Sequence, residues 1–403
     1  MSAWRSAVFV TGLAAAAAMG CQEKVTTPSR CPALCPASKV ELADTLLALA
    51  DTADTSVRGF VLIREATYLL ASTLDSLQAV TLIRFSAHDT MWTVSGTNLD
   101  SLYVGTQDSL VLTLSLAQRD TTVKNLRMVI WRLPAQFDTG ATYQSVQPFL
   151  ADSTLIDTVA IADTAIAGSH TFNIADSLHI PPGDSGVVSL AIGIVAPSKT
   201  ALTFGSGNLS TAPLLTTYVH ARAPFDTATS LFSVSPSVAL FVLNPAPVQP
   251  PPGILAVGGI PTARTLMRLS LPKLVVDSAS VVRATLLLNT VGAVGGFAGD
   301  SFYVVAEPVV RDYGVKSVLW PDSATSGIVL VHQGQSGQIQ LDMAPILRFW
   351  GTAQGDSTPR LIMLRGYPEG SILGAVNFAS HTAGALGPQL EVTYVKPYSF
   401  GVP

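Results

Sequence analysis

Apolar positions in this chain fall in short runs with the period of two that a half-buried strand requires. In TLIRFS (residues 81–86), Ile83 and Phe85 face one way and Leu82 and Arg84 the other. β-Branched and aromatic residues fill these runs, and Gly, Pro, Asp-Ser and Asp-Thr pairs punctuate them. Short strands at regular spacing predict an antiparallel β-sandwich. The stretch 244–253 (NPAPVQPPPG) is too Pro-rich for a strand and is expected to be a loop.

The runs occur twice, in the same order. TLIRFS matches TLMRLS (265–270), and SLVLTLSLA (109–117) matches VVRATLLLNT (281–290). LRMVIWRL (126–133) pairs with SFYVVAE (301–307), HTFNIA (170–175) with QIQLDM (338–343), and VVSLAIGI (187–194) with RLIMLR (360–365). Last, LLTTYV (214–219) matches LEVTYV (390–395), each with a proline just before it, Pro213 and Pro388. The expected fold is all-β: two tandem, jelly-roll-like antiparallel sandwiches, at 41–222 and 223–397, with a joint near 221–225.

The first 21 residues differ in character. Arg5 precedes an apolar stretch from Ala7 to Met19, the n-region and h-region of a secretory signal, too short to span a bilayer comfortably. It ends in Ala18-Met19-Gly20-Cys21, which resembles a bacterial lipobox without the usual Leu. That resemblance implies a signal peptide at 1–20 and a diacylglyceryl thioether and N-acyl chain on Cys21, together a stable membrane anchor. Gln22 stands where Asp would favour the inner membrane, which points to the outer membrane. The alternative is an ordinary signal peptide followed by a chance cysteine. Residues 21–40 form a polar, Pro-rich tether. Within it, Cys31 and Cys35 are expected to pair in an oxidising compartment. A metal or redox site is the rival, but no His is near and the spacing is not C-x-x-C.

Composition narrows the function classes. Hydrophobic residues make up 48% of the 403 and charged residues 12%, ample for two cores and inconsistent with general disorder. The net charge of -4 and the absence of a Lys/Arg cluster exclude a nucleic-acid binder, which needs a concentrated basic surface. All three cysteines precede residue 36, so neither repeat holds a disulfide or a cysteine metal site.

The second repeat resembles the DNRLRE, or disaggregatase-related, domains. The resemblance rests on RTLMRLSL (264–271), VRATLLL (282–288), VLWP (318–321), LDMAPILRFWG (341–351) and NFASHTAGALGPQLEVTY (377–394). It implies a jelly-roll-like sandwich, grouped with carbohydrate-binding modules and used as an accessory module, some members of which bind polysaccharide. The first repeat departs from it: nothing corresponds to Trp350, and Ser86 and Ser270 replace the usual Asp in the two copies. No catalytic residues accompany the pattern.

Several motifs invite sharper readings. Gly183-Asp184-Ser185-Gly186 looks like the nucleophile loop of a chymotrypsin-like protease, but no matching His segment precedes it. Gly355-Asp356-Ser357 recurs at the equivalent place and Gly299-Asp300-Ser301 is a third copy, so all three read as turns. The six histidines are at least nine residues apart and the aspartates form no alternating calcium loop. A structural calcium is compatible with such modules, though no ligands can be named. Arg84 and Arg268 occupy equivalent positions and read as ion-pair or surface residues. Sugar binding needs exposed rings, for which Trp92, Tyr103, Trp131, Tyr143, Tyr313 and Trp320 are available. Trp131 and Trp350 read as core, the latter ending a helical turn (APILRFW), and Trp92 and Trp320 as surface. The sequence thus predicts a non-enzymatic envelope lipoprotein that binds polysaccharide or another surface polymer. The alternatives are a structural or adhesive spacer and a polysaccharide-cleaving enzyme.

Overall fold

The computed structural model describes residues 42–396 apart from 50–52, 60, 62, 76, 88–90, 93–101, 136, 138, 175–186, 207–210, 222–228, 274, 276–279, 315–316, 320–324, 353–356 and 371. Cys21, Cys31 and Cys35 lie outside the described residues. The chain begins with β1 (Leu42–Ala48) and β2 (Ala53–Arg58). Then come β3 (Tyr68–Leu74), β4 (Leu77–Phe85), β5 (Met91–Trp92), β6 (Leu102–Arg119), β7 (Arg127–Arg132), β8 (Leu155–Ala160), β9 (Gly168–Ile174), β10 (Val188–Val195), β11 (Ala201–Gly205) and β12 (Leu214–Ala221). The second half supplies β13 (Thr229–Val234), β14 (Pro236–Asn244), β15 (Ile254–Gly258), β16 (Ala263–Arg268), β17 (Ser280–Asn289) and β18 (Ser301–Arg311). It ends with β19 (Val318–Leu319), β20 (Gly327–His332), β21 (Gln338–Asp342), β22 (Leu361–Tyr367), β23 (Ala375–Ala379) and β24 (Gln389–Val395).

These strands make two antiparallel β-sandwiches. In the first, one layer runs β14-β4-β10-β7-β8 and the other β13-β12-β6-β9, with β3 and β11 bridging them along one side. Alternate residues point inward, so Ile83 and Phe85, Leu110, Leu112 and Leu114, Met128 and Ile130, and Leu190 and Ile192 fill one buried cluster. Each such side chain contributes about 1.5–3 kcal/mol by leaving water. The outer face of the five-stranded layer is buried as well. Segment 133–154, with the short helix α1 (Tyr143–Val146), lays Leu133, Phe137 and Val146 over Val80, Leu82, Ala191, Leu240 and Val242. Leu82, expected on the outward side of its strand, is therefore fully buried.

In the second sandwich, β2-β16-β22-β18-β20 face β1-β24-β17-β21, and the β15–β23 pair closes the side. Helix α2 (Ala344–Trp350) plugs one end, as the APILRFW segment predicts, and Trp350 is fully buried. Arg348 on α2 donates to the Val281 and Val282 carbonyls, which fixes the helix to β17.

The two sandwiches are equivalent strand by strand, as the sequence repeat requires. β4 corresponds to β16, β6 to β17, β7 to β18, β9 to β21, β10 to β22 and β12 to β24, with the same neighbours in each. Even a buried side-chain bond recurs: Thr81 Oγ1 donates to the Leu70 carbonyl as Thr265 Oγ1 donates to that of Ala256.

One expectation needs correction. Domains bounded at 41–222 and 223–397 are not the folded bodies, because each repeat gives its first two strands to the other. β1 pairs β24 and β2 pairs β16, both in the second sandwich. Reciprocally, β13 pairs β12 and β14 pairs β4, both in the first. The physical reason lies in the linkers. Pro245, Pro247, Pro250, Pro251 and Pro252 stiffen the stretch between β14 and β15, so β13–β14 is held away from its own repeat. Gln249 in that stretch accepts from the Arg58 backbone N–H at 2.8 Å and donates to the Arg58 carbonyl at 3.1 Å, clasping the end of β2. Burial at this junction lowers the pKa of the Arg58 guanidinium. A shared cluster seals the two bodies: Leu70, Ala79, Phe241 and Leu243 from the first meet Ile260 and Phe297 from the second.

Candidate binding face

Of the sequence-predicted aromatic residues, the structure brings Trp131 and Tyr143 onto one cluster. Trp92 lies in β5, where it pairs with Leu102 of β6, and Trp320 lies outside the described residues. Trp131 packs half-buried on the outer cluster of the first sandwich, over Gly193, where a Cβ would come within 2.7 Å of the indole. Tyr143 packs on the same cluster, while Tyr313 is exposed. The equivalent arginines are structural: Arg84 donates to Ser237 Oγ at 3.3 Å and lies 5.8 Å from the Phe137 ring, and Arg268 pairs with Asp312.

The outer face of the five-stranded layer is covered in the first sandwich; in the second it is covered only in part, and Tyr303, Ile328, Leu330 and Tyr367 stay exposed on it. In the second, the five-stranded layer carries Leu266, Val309, Leu361 and Met363 under Leu319. Two bidentate pairs lie on the same layer, Arg264–Glu369 at 2.5 and 2.6 Å and Arg365–Glu307 at 2.9 and 2.7 Å. Hydrogen bonding to Glu307 raises the Arg365 pKa further, outweighing the opposing effect of burial. The four-stranded layers stay open in both bodies.

On the first open face, β12 turns Tyr218 outward, the residue 41% exposed. Two residues on, about 7 Å along the strand, His220 places Nδ1 2.6 Å from Asp108 Oδ1. Asp108 reaches it because β6 bulges there, its register slipping between Ser109 and Gln107. Leu231 lies opposite Tyr218 on β13, the Thr216 and Ser233 hydroxyls are 2.9 Å apart, and Ser169, Thr171 and Asn173 line β9 in the open. An accessible ring beside a carboxylate, an imidazole and a row of hydroxyls can stack on one face of a ligand while hydrogen-bonding its edge.

Among the described residues, the equivalent face of the second body has no ring. Thr393 takes the place of Tyr218 and donates to Asp44 Oδ1 at 2.6 Å. It carries instead a polar groove of about 380 Å³ between Arg283, Thr285, Gln340, Asp342 and Arg348. Two clefts of about 440 Å³ flank the Pro-rich linker, with Arg58, Pro247, Gln249 and Pro261 lining both. Both lie at the junction where Gln249 clasps the end of β2.

Sequence reasoning missed Tyr218. Aligning LLTTYV with LEVTYV by their shared TYV puts Tyr218 opposite Tyr394, whose side chain is buried. Aligning Pro213 with Pro388 instead pairs Leu215 with Leu390, and the structure follows that register: both leucines are core. Tyr218 is thereby shifted by one position and thrown onto the outer face. The signal was present, in the prolines.

Among the described residues, no three His, Cys, Asp or Glu side chains gather where a metal ion could sit. His381 donates its backbone N–H to Asp54 Oδ2 at 2.8 Å, with Nδ1 2.8 Å from Oδ1, and so ties β2 to the loop before β24. The Gly183–Gly186 motif lies outside the described residues, but Gly299-Asp300-Ser301 is a turn with Gly299 at φ +83° leading into β18. Burial raises the Asp300 pKa, partly offset by the Phe297 N–H it accepts. The folded state therefore holds that proton more tightly than the unfolded state, and the ionised carboxylate weakens the fold once pH rises through the folded pKa. Asp300→Asn should raise the thermal midpoint at neutral pH, and the gain should shrink as pH falls into the ordinary carboxylate range. A gain that grows on acidification would contradict this sign.

No family model matches the chain, and no curated protein does. Among solved structures, the N-terminal CBM22-1-CBM22-2 tandem domain of Xyn10C from Paenibacillus barcinonensis aligns over 90% of this chain and 100% of its own, at 8% identity and a TM-score of 0.15. A likeness that small carries no argument. No helix among the described residues is long and apolar enough to cross a membrane.

Proposed function

We propose that this chain is a lipid-anchored envelope protein that binds polysaccharide, without catalysis, on the open four-stranded face centred on Tyr218. The observation that carries the reading is the exposed Tyr218 beside the His220–Asp108 pair and Leu231, on a sheet further lined by hydroxyls and an amide. Resemblance of the second repeat to DNRLRE domains supports the same class. The lipobox at Cys21 supports attachment to a membrane, with Gln22 favouring the outer one. A calcium ion is not required by this reading. A glycan array probed with residues 41–397 tests it: binding to defined polysaccharides, weakened by Tyr218→Ala, is the expected result. Uniform silence would favour a spacer, and reproducible turnover of a polymer would favour an enzyme. For the anchor, cells fed a labelled fatty acid should label the protein, and Cys21→Ser should abolish the label; persistence of label in that variant would overturn the assignment.

A further inference from the structure

We propose that β1–β2 is a donor element that a second copy of this chain accepts in place of its own, so that the protein joins to itself by strand exchange. This does not depend on the polysaccharide reading. The exchange is already made within the chain. The slot in the second sandwich, between the edges of β24 and β16, holds β1–β2, and the equivalent slot in the first holds β13–β14. Registers agree residue for residue: Ala43 faces Tyr394 as Ser230 faces Val219, and Ser56 faces Thr265 as Phe241 faces Thr81. The occupants differ in sequence, LADTLLA and ADTSVR against TSLFSV and PSVALFVLN. The slots therefore select a pair of edge strands by backbone pairing, with loose demands on side chains.

The two occupants are not held equally. No apolar side chain of β1 or β2 is fully buried, although the Asp54 carboxylate is buried against His381, and Ala43 and Leu47 only lean on the core that Leu49 enters just beyond β1. In β14, Leu240, Phe241, Val242 and Leu243 are all buried. Withdrawing β1–β2 thus costs far less than withdrawing β13–β14. It leaves the N–H and C=O groups of β24 and β16 unpaired side by side, which is the state that recruits another strand. β13–β14 cannot fill the gap, because β14 is buried in the first sandwich and the linker after it is stiff. The segment that fits both edges in register is β1–β2 from another copy, and a mutual exchange closes as a two-fold dimer.

The test uses the full chain with Cys21, Cys31 and Cys35 replaced by Ser, so that any disulfide reports on introduced cysteines alone. Asp44 and Thr393 face each other across β1 and β24 on the outer face. One folded population carries Asp44→Cys and another Thr393→Cys; they are mixed, incubated in mild denaturant, returned to buffer and oxidised. The expected product is a mixed disulfide dimer in excess over either homodimer, absent when incubation is omitted. Should either variant fold poorly, Leu46→Cys and Glu391→Cys report on the same pairing. The proposal is overturned if only unlinked chains appear while the double variant Asp44→Cys/Thr393→Cys still closes its disulfide within one chain.

Discussion

A chain lacking residues 42–58 will keep its first sandwich at full stability and hold its second folded but strongly destabilised. β1 pairs with β24 over seven positions and β2 with β16 over six, so the deletion strips one edge from each layer of the same body. Each backbone bond contributes about 0.5–1.5 kcal/mol net, set against a domain stability of about 5–15 kcal/mol. The lost contacts include Ser56, whose hydroxyl bonds the Ala256 carbonyl at 2.9 Å, and Asp54, which holds His381. Neither strand pairs with a strand of the first sandwich. Hydrogen exchange reads the two bodies separately: protection should fall sharply in β17 and persist in β4 and β10. Undiminished protection in β17 would mean that the second body is complete without β1 and β2. The mirror deletion, of residues 229–244, should reverse the pattern.

Truncating Trp350 is the second large effect. The indole is fully buried at the end of α2, packed in the core with Ile346 and Leu347 and 5.7 Å from the Arg360 guanidinium. Trp350→Ala should cost about 3–5 kcal/mol, the range for a large aromatic side chain lost from a core that cannot collapse around the hole. Trp350→Phe should cost much less, because the indole N–H makes no hydrogen bond and its removal strands no partner. Urea denaturation followed in the second body measures both. A Phe variant as damaged as the Ala variant would mean that the indole nitrogen matters after all.

Strand positions and the repeat were legible because both rest on local signals. Period-two runs such as TLIRFS and TLMRLS became β4 and β16, the proline run became the linker, and APILRFW became α2. The exchange of β1–β2 and β13–β14 was not legible, for a physical reason. When two slots are equivalent, nothing in a strand's own sequence says which one it occupies; that is decided by linker stiffness and geometry. β1 and β2 are also weakly patterned, with Asp44, Thr45, Asp54, Thr55 and Ser56 among their residues. The candidate face was half legible. Its hydroxyl-rich strands could be seen, but Trp92 and Trp320 drew attention by the polar character of their surroundings, whereas Tyr218 sits in a run that reads as core until its register is fixed by Pro213.

The central claim, that the open face around Tyr218 binds polysaccharide, is tested most directly by depletion on insoluble polysaccharides. Residues 41–397 are incubated with each polymer and the free protein is measured across a concentration series, for the parent and for Tyr218→Ala, with folding of both checked by circular dichroism. The account predicts saturable retention of the parent on at least one polymer, reduced about fivefold or more in affinity in the variant, in keeping with the ~1–3 kcal/mol that stacking on an aromatic side chain is worth for a nucleobase. Equal retention of a folded Tyr218→Ala chain, or no retention of the parent on any polymer, would contradict it.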